Sequence, residues 1–460
     1  MYSSPGIAAE GCRCRDLRSI VTTPTAPPQA APRRFGVRGT ILPGSRRRPD
    51  SWRRDTVAAL LWTVAVVPAA MGFWLVAGSL AGVAPSQVST LIRASLLGLG
   101  IGTLLQVAFG FRLPMYEGPA AAYLAAITVV TAEGQHSLAA ITGGLIAAGV
   151  FVALLGAVGA DRLIAKAFTP LVANVFVLTV TSALIPATVE RAIGATGGLP
   201  GKGPAWAATI VVVTVAIALR RVPRLIPYSL FAALVAGTGV YVALAGAPGI
   251  KPGAGVAAPA LLPWGTPRAS LGVVIPFLLA GGLAAFNTVA SGKVVSIAHG
   301  LPARPGAQRR SFLMHGAAQV GGAMFGNVVG TVSRIDSIPI AQLLDHRGRA
   351  PLLLCGMLVG ALGFVTPFVA VAAALPLSVS AALLAVLLSL ILIHAARGIA
   401  REPRALVARV VVPAMIPTAL WIAVGTSLPP TVQLVANPML WGVLVAMVLE
   451  RIMTPRLRAV

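Results

Sequence analysis

Runs of about 20 apolar residues recur along this chain of 460 residues, and they restrict its fold more than any other feature of the sequence. Residues 60–80 and 352–375 form two of these runs. A helix of that length spans the roughly 30 Å hydrocarbon core of a bilayer. Charged residues make up 10% of the chain, whereas a soluble domain has roughly 25%. The sequence therefore predicts an all-α integral membrane protein.

Hydropathy, together with glycine and proline punctuation, predicts fourteen membrane segments. They lie near residues 56–80, 88–110, 115–131, 137–160, 170–188, 205–220, 226–246, 271–296, 310–329, 335–345, 351–374, 376–396, 406–426 and 434–452. Because this number is even, both termini are expected on the same side of the membrane.

The formal net charge of +24 is unevenly distributed, and its distribution favours a membrane topology over nucleic-acid binding. Eleven of the 36 basic residues precede residue 55. With the N-terminus inside, most of the others fall in cytoplasmic loops and only five in outer loops. This positive-inside pattern predicts a cell (inner) membrane protein with both termini in the cytoplasm. Residues 1–54 are predicted to be a disordered basic cytoplasmic tail.

A stretch rich in proline, glycine and alanine divides the segments into two sets of seven. We predict a first repeat over residues 55–246, a linker over 247–268 and a second repeat over 269–460. Because seven is odd, the halves cross the membrane in opposite directions, which is the layout of inverted repeats. Glycine and proline interrupt the third and tenth segments, at residues 113–119 and 330–339. Such matched breaks are typical of a transporter's central site.

Glu117 and Asp336 lie in these two broken segments, whereas almost all the other acidic residues fall in tails or loops. A carboxylate at the centre of a bilayer costs on the order of 2.5–3.5 kcal/mol, so a chain retains one there mainly for function. We expect both residues to handle an ion or a substrate. The structural alternative is an ion pair, of Glu117 with Arg112, and of Asp336 with Arg334 or Lys293.

Three stretches around the second and third segments carry a family signature. They are Gly100-Ile-Gly-Thr-Leu-Leu-Gln106, Gly110-Phe-Arg-Leu-Pro114 and Glu117-Gly-Pro-Ala-Ala-Ala-Tyr123. They resemble the nucleobase-cation symporter-2 family, also called nucleobase-ascorbate transporters or uracil/xanthine permeases, and the resemblance covers residues 56–452. It implies about fourteen helices in a core domain and a gate domain, with short strands in the third and tenth segments. It also suggests a homodimer formed through the gate domains.

The resemblance implies a substrate held against the third, eighth and tenth segments. The residues that align with the family's contacts, or lie beside them, are Tyr123, Asn287, Thr288, Ser333 and Asp336. Asn287 stands where the family has a glutamate on the eighth helix, and Asp336, with a one-residue shift, where it has one in the tenth segment. An amide can hydrogen-bond a base but does not bind a proton. Proton coupling is therefore predicted for Asp336 and Glu117.

These features predict a secondary active transporter that carries a purine, a pyrimidine or a similar small heterocycle by proton symport with alternating access. Arg334 and Lys293 are candidate anion contacts, and they favour an alternative, an anion transporter of the same fold for sulfate or carboxylates. A membrane-embedded enzyme is a remote alternative, because Cys, His and Asp are scarce in the spans.

Neither a cofactor nor a metal site is predicted, since the cysteines and histidines lack metal-ligand spacing. The histidines are interpreted as structural hydrogen-bonding groups. The expected partners are the small-molecule substrate and membrane lipids, and not nucleic acid.

Overall fold

The structure, a computed structural model, describes residues 51–132, 137–160, 169–195, 203–249, 253, 255–301, 304–334, 337, 348–424 and 438–458. Most of the predicted N-terminal tail, and Asp336 in the tenth segment, lie outside these residues.

The described residues are mostly helical. In the first half the helices are α1 (Ser51–Leu80), α2 (Val88–Ala108), α3 (Ala121–Ala132), α4 (Leu138–Ala157), α5 (Pro170–Ile193), α6 (Pro204–Arg220) and α7 (Ser229–Ala245). In the second half they are α8 (Leu271–His299), α9 (Ala307–Met324), α10 (Ala350–Leu362), α11 (Thr366–Ala373), α12 (Leu377–Ile399), α13 (Val412–Val424) and α14 (Pro438–Arg458). A three-residue helical turn, Arg404–Leu406, and a π-helical turn, Val407–Val411, lead into α13.

Eight helices within the described ranges are long and apolar enough to cross a bilayer. Shorter apolar helices accompany them at Ala121–Thr131, Pro204–Arg220 and Ala350–Leu362. The prediction of an all-α membrane protein is confirmed.

The third segment begins as a strand, β1 (Glu117–Pro119), and becomes helical at Ala121, as the family resemblance predicts for this segment. One predicted helix differs from what is observed. The predicted helix over 351–374 is broken between α10 and α11, where the carbonyl groups of Gly363 and Phe364 accept hydrogen bonds from Arg93 Nη1 at 3.1 and 3.4 Å. The guanidinium group thus satisfies acceptors that a continuous helix would have paired internally.

Equivalent helices of the two halves make equivalent contacts, as expected for two repeats that are related by a two-fold axis. α2 of the first half packs against α10 of the second, and α9 of the second half packs against α4 of the first. Glycines line both contacts. A Cβ atom added at Gly100 on α2 would lie 2.6 Å from the carbonyl oxygen of Gly356 on α10. One added at Gly316 on α9 would lie 2.4 Å from that of Gly149 on α4. Small residues allow this close approach of helices.

The helix contacts fall into two groups. α2, α3, α4, α8, α9 and α10 pack mainly with one another around the strands, while α5, α6, α7, α12, α13 and α14 form the other group. These are the predicted core and gate domains. The fold is an inverted repeat of seven and seven segments, as predicted.

Candidate functional site

The two broken segments meet at the centre of the core group. β1 (Glu117–Pro119) pairs antiparallel with β2 (Thr331–Ser333), in the register Glu117 with Ser333 and Pro119 with Thr331. The backbone N–H of Arg334 extends the pairing by donating to the carbonyl oxygen of Tyr116 at 3.0 Å. Side chains directly opposite in such a pair lie on one face. The strand pair therefore joins the two halves of the chain and sets Glu117 beside Ser333.

Glu117 is completely buried and has polar contacts on both carboxylate oxygens. The hydroxyl of Ser333 donates a hydrogen bond to Oε1. Oε2 lies 3.5 Å from Nδ1 of His315, which is also completely buried. The backbone N–H of Glu117 donates to Thr103 Oγ1 on α2 at 3.1 Å. The predicted alternative, a membrane-edge ion pair with Arg112, is not what the structure describes, because Arg112 Nε donates to the carbonyl oxygen of Ala108.

His315 belongs to a buried polar stripe on α9, which is formed by Ser311, His315 and Gln319. Their spacing of four residues places all three on one face of the helix. Ser311 exchanges two hydrogen bonds with Gln106 of α2, at 2.9 and 3.0 Å. Gln319 Oε1 accepts the backbone N–H of Thr331 in β2 at 3.0 Å. Each end of the stripe is therefore anchored, with His315 between the two anchors.

Several polar atoms in this region are buried without a hydrogen-bond partner among the described residues. They are Glu117 Oε2, both ring nitrogens of His315, the Tyr123 hydroxyl, Gln319 Nε2, and the hydroxyls of Thr288 and Thr331. Buried polar groups are normally paired, so such a set calls for a proton, a water molecule or a ligand. Such a concentration of buried polar atoms is typical of a functional site and not of the packing between apolar membrane helices.

Tyr123 on α3 is fully buried and stacks on Phe277 of α8, with ring centroids 6.2 Å apart. It lies within electrostatic range of Glu117. Gly330, just before β2, separates Tyr123 from Gln319. A Cβ atom added at Gly330 would lie 2.5 Å from Gln319 Nε2 and 2.6 Å from Tyr123 Cδ2. The third segment, α9 and the start of β2 are therefore in tight contact at this glycine.

We expect Gly330→Ala to destabilise the protein strongly. Gly330 has a φ of +67°, which costs an L-residue roughly 1–2 kcal/mol, and the added methyl group would also collide with Gln319 and Tyr123. Gly82→Ala is the matched control, because Gly82 has a φ of +73° and open space around it. The midpoint of thermal unfolding in detergent should fall much further for Gly330→Ala. Equal shifts would contradict the described packing.

The three residues predicted as ligand contacts on α8 differ in their burial. Asn287 is half-buried, and its Oδ1 accepts a hydrogen bond from Ser291 Oγ at 3.3 Å. Thr288 is fully buried. Lys293, a predicted anion contact, is exposed, and its role stays a prediction. Asp336 lies outside the described residues, so its predicted roles stay predictions.

Arg334 lies at a narrow recess with about 170 Å³ of empty space, which includes its opening to the outside. The lining residues are Val66, Ala69, Ala70, Phe73, Tyr116, Pro119 and Arg334. The guanidinium group lies 5.7 Å from the ring centroid of Phe73, and its Nη1 donates to the carbonyl oxygen of Pro119 at 3.3 Å. Tyr123, Asn287, Thr288 and Ser333 do not line this recess.

Sequence reasoning missed His315 and Gln319 as members of the site. Their four-residue spacing from Ser311, within an otherwise apolar segment, was the available signal. The spacing does not show which residues the polar face of α9 contacts, because those contacts depend on how α9 packs against the broken third segment.

The sequence is similar to known transport proteins over most of its length. The profile of the Permease family (Xan_ur_permease) matches residues 55–428. The "Putative purine permease YwdJ" of Bacillus subtilis (strain 168) is 28% identical over 253 residues. That similarity covers 53% of this chain and 58% of the relative, so the match spans less than two thirds of the relative's length.

Solved structures with a similar fold include those of anion transporters. The transmembrane domain of a cyanobacterium bicarbonate transporter, BicA, aligns with a TM-score of 0.60 at 16% identity, over 85% of this chain and 98% of that one. Murine Slc26a9, an anion transporter in its inward-facing state, aligns with a TM-score of 0.59 at 14% identity, over 87% of this chain and 69% of that one. At these identities the likeness concerns the fold alone.

Proposed function

This chain belongs to the Permease family, as the resemblance of residues 56–452 predicted, and from that premise we propose that it carries a nucleobase across the membrane by proton symport. A family of permeases makes it a membrane transporter and not an enzyme. The observation that carries the proposal is a buried carboxyl, Glu117, at the paired breaks of a chain with this family membership. The purine permease among its relatives favours a purine over a pyrimidine.

Proton coupling is supported by the surroundings of Glu117. A carboxylate without water is costly unless it is paired or takes up a proton. The charged or titratable groups described around it are His315 on α9, Tyr123 on α3 and, beyond Ser333, Arg334. None of these contacts is a lysine or arginine salt bridge to the carboxylate. We propose that Glu117, together with Asp336, alternates between a protonated and an ionised form during transport.

The base is proposed to bind beside the strand pair, at the recess next to Arg334. Asn287 and Thr288 of α8 do not line the recess in this conformation, and we propose that they contribute hydrogen bonds once it has widened. In this conformation the recess has no room for a water-sized molecule, whereas typical ligand pockets hold roughly 300–1,000 Å³. Binding therefore needs the recess to widen. Four residues of α1 line the recess, and Gly72 of the same helix packs directly against Ser380 of α12, a helix of the gate group. Movement of α12 away from α1 would therefore widen the recess. That movement is the proposed basis of alternating access.

The site of action that we propose is the cell inner membrane, with both termini in the cytoplasm and the gate domains forming a homodimer. The excess of basic residues in the inner loops supports this orientation.

Uptake of labelled purines is the direct test of the substrate class. In a host without its own base permeases, we expect accumulation of hypoxanthine, guanine, xanthine or urate that a protonophore abolishes. Uracil in the same panel separates pyrimidines from purines. Bicarbonate, sulfate and a small carboxylate serve as competitors, because Arg334 at the recess also suits an anion.

Two results would contradict the proposal. If none of the bases accumulates, the proposed substrate class is wrong. If uptake is insensitive to the protonophore and is competed by sulfate or carboxylates but not by bases, the anion-transport alternative replaces it.

A further inference from the structure

His315 is the one buried titratable group on α9 among the residues described for that helix, and the predicted function gave it no role. We propose that His315 and Glu117 form a single proton site, in which the imidazole and the carboxyl share the transported proton. This inference rests on the proposed proton symport. It deepens that function by adding a second residue and by locating the proton on the α9 side of the strand pair.

The contact geometry supports a shared proton. Nδ1 of His315 lies 3.5 Å from Glu117 Oε2, and both side chains are fully buried. Neither Oε2 nor either ring nitrogen has another hydrogen-bond partner among the described residues. Ser333 fixes the remaining carboxylate oxygen, Oε1, so Oε2 is the oxygen that remains for a proton. A small closing movement would bring the two groups into hydrogen-bond range.

The charge balance of the pair gives it the behaviour of a proton carrier. With one proton the pair is neutral overall, either as carboxylic acid and imidazole or as carboxylate and imidazolium. Loss of that proton leaves one uncompensated negative charge on fully buried side chains, which is unfavourable. Removing the imidazole is therefore expected to change the pH dependence of transport.

Two consecutive residues connect this proton site to the recess. Ser333 and Arg334 are consecutive, and consecutive residues of an extended segment point to opposite faces. Ser333 contacts Glu117, whereas Arg334 lines the recess and packs over Gly118, where an added Cβ atom would lie 2.9 Å from Arg334 Cγ. A ligand that displaces Arg334 would shift Ser333 and thereby the hydrogen bond on Glu117. The strand pair is thus the proposed link between substrate and proton.

The titratable and charged groups around the pair are few. From α3 the buried Tyr123 lies beside Gln319 at Gly330, and from the end of β2 the guanidinium of Arg334 donates to the carbonyl oxygen of Pro119. The contacts described for α2, at Thr103 and Gln106, are with neutral groups. On α8 the described cation, Lys293, is exposed. Asp336 lies outside the described residues and is tested separately.

His315→Gln in proteoliposomes tests this inference. Counterflow of a labelled purine without a pH gradient measures binding and translocation, while accumulation under an imposed gradient measures coupling. A gradient of one pH unit can drive at most about tenfold accumulation for one proton per base. We expect His315→Gln to keep counterflow, to lose this accumulation, and to shift the pH midpoint of transport by about one unit or more. His394→Gln, at an exposed histidine on α12, is the matched control and should behave as the wild type does.

The outcomes separate the inference from the proposed function. If the wild type shows no counterflow of any base, the proposed function fails. If it accumulates base and His315→Gln keeps the same accumulation and midpoint, the shared site is wrong while the function stands.

Infrared spectroscopy tests the shared proton site without any substrate. Infrared pH-difference spectra of the purified protein report the C=O stretch of a protonated buried carboxyl, assigned by its loss in Glu117→Gln. Its midpoint should move in His315→Gln, and an unmoved midpoint overturns the inference. If His315→Gln does not fold, Glu117→Gln/His315→Gln removes the whole pair, and its transport should match that of Glu117→Gln alone. Counterflow in the double variant that differs in rate or in pH dependence from that of Glu117→Gln alone would contradict a single shared site.

Discussion

Glu117→Gln is expected to abolish proton-driven accumulation and to leave gradient-free exchange of the base. The amide keeps an oxygen that can accept the hydrogen bond from Ser333, but it cannot release or take up a proton. Under a gradient of one pH unit, accumulation should fall from about tenfold to no accumulation. Exchange should also become independent of pH, because the variant resembles the permanently protonated form. Counterflow and accumulation in proteoliposomes measure the two quantities.

Two comparison variants sharpen this expectation. Glu190→Gln removes an exposed carboxyl near the end of α5 and should change neither quantity. Asp336→Asn tests the other predicted carboxyl. If Asp336→Asn loses coupling while Glu117→Gln retains it, Glu117 is not the coupling group and the proton site lies in the tenth segment.

Much of the architecture could be predicted from the sequence, because a bilayer imposes simple rules on length and polarity. Apolar runs gave the spans, and the parity of their number gave the inverted repeats. The matched breaks also identified Glu117 before any contact was known. Each of these inferences uses a local property of the chain, which hydropathy reports directly.

Contacts between segments that are distant in the sequence were harder to predict. Ser333 and Glu117 are 216 residues apart, and their strand register depends on how the two halves meet. The same holds for His315, whose neighbour is fixed by the α4–α9 and α2–α9 packing. Lys293 on the eighth segment is exposed, and its predicted role as an anion contact stays a prediction. A helix sequence does not show which face is turned towards the site.

Gly316→Val is expected to cause a large loss of stability. The added Cβ atom would lie 2.4 Å from the carbonyl oxygen of Gly149 and 2.8 Å from the backbone nitrogen of Ala153. Backbone atoms of a packed helix cannot rotate away as a side chain can. Overpacking costs typically 1–3 kcal/mol, occasionally more, and a collision with backbone belongs at the upper end. The midpoint of thermal unfolding and the yield of monodisperse protein in detergent measure the effect.

Gly321→Val is the control on the same helix, because an added Cβ atom there has no neighbour within 4 Å. It should unfold at the wild-type temperature, and equal losses for both variants would contradict the described α4–α9 contact. Ala153→Gly added to Gly316→Val removes the methyl group that lies 2.7 Å from the new Cβ atom, but it leaves the collision with Gly149. Rescue should therefore be partial.

Because Gly316 follows His315 directly, the milder Gly316→Ala should, if it folds, also shift the pH dependence of transport by moving the imidazole relative to Glu117.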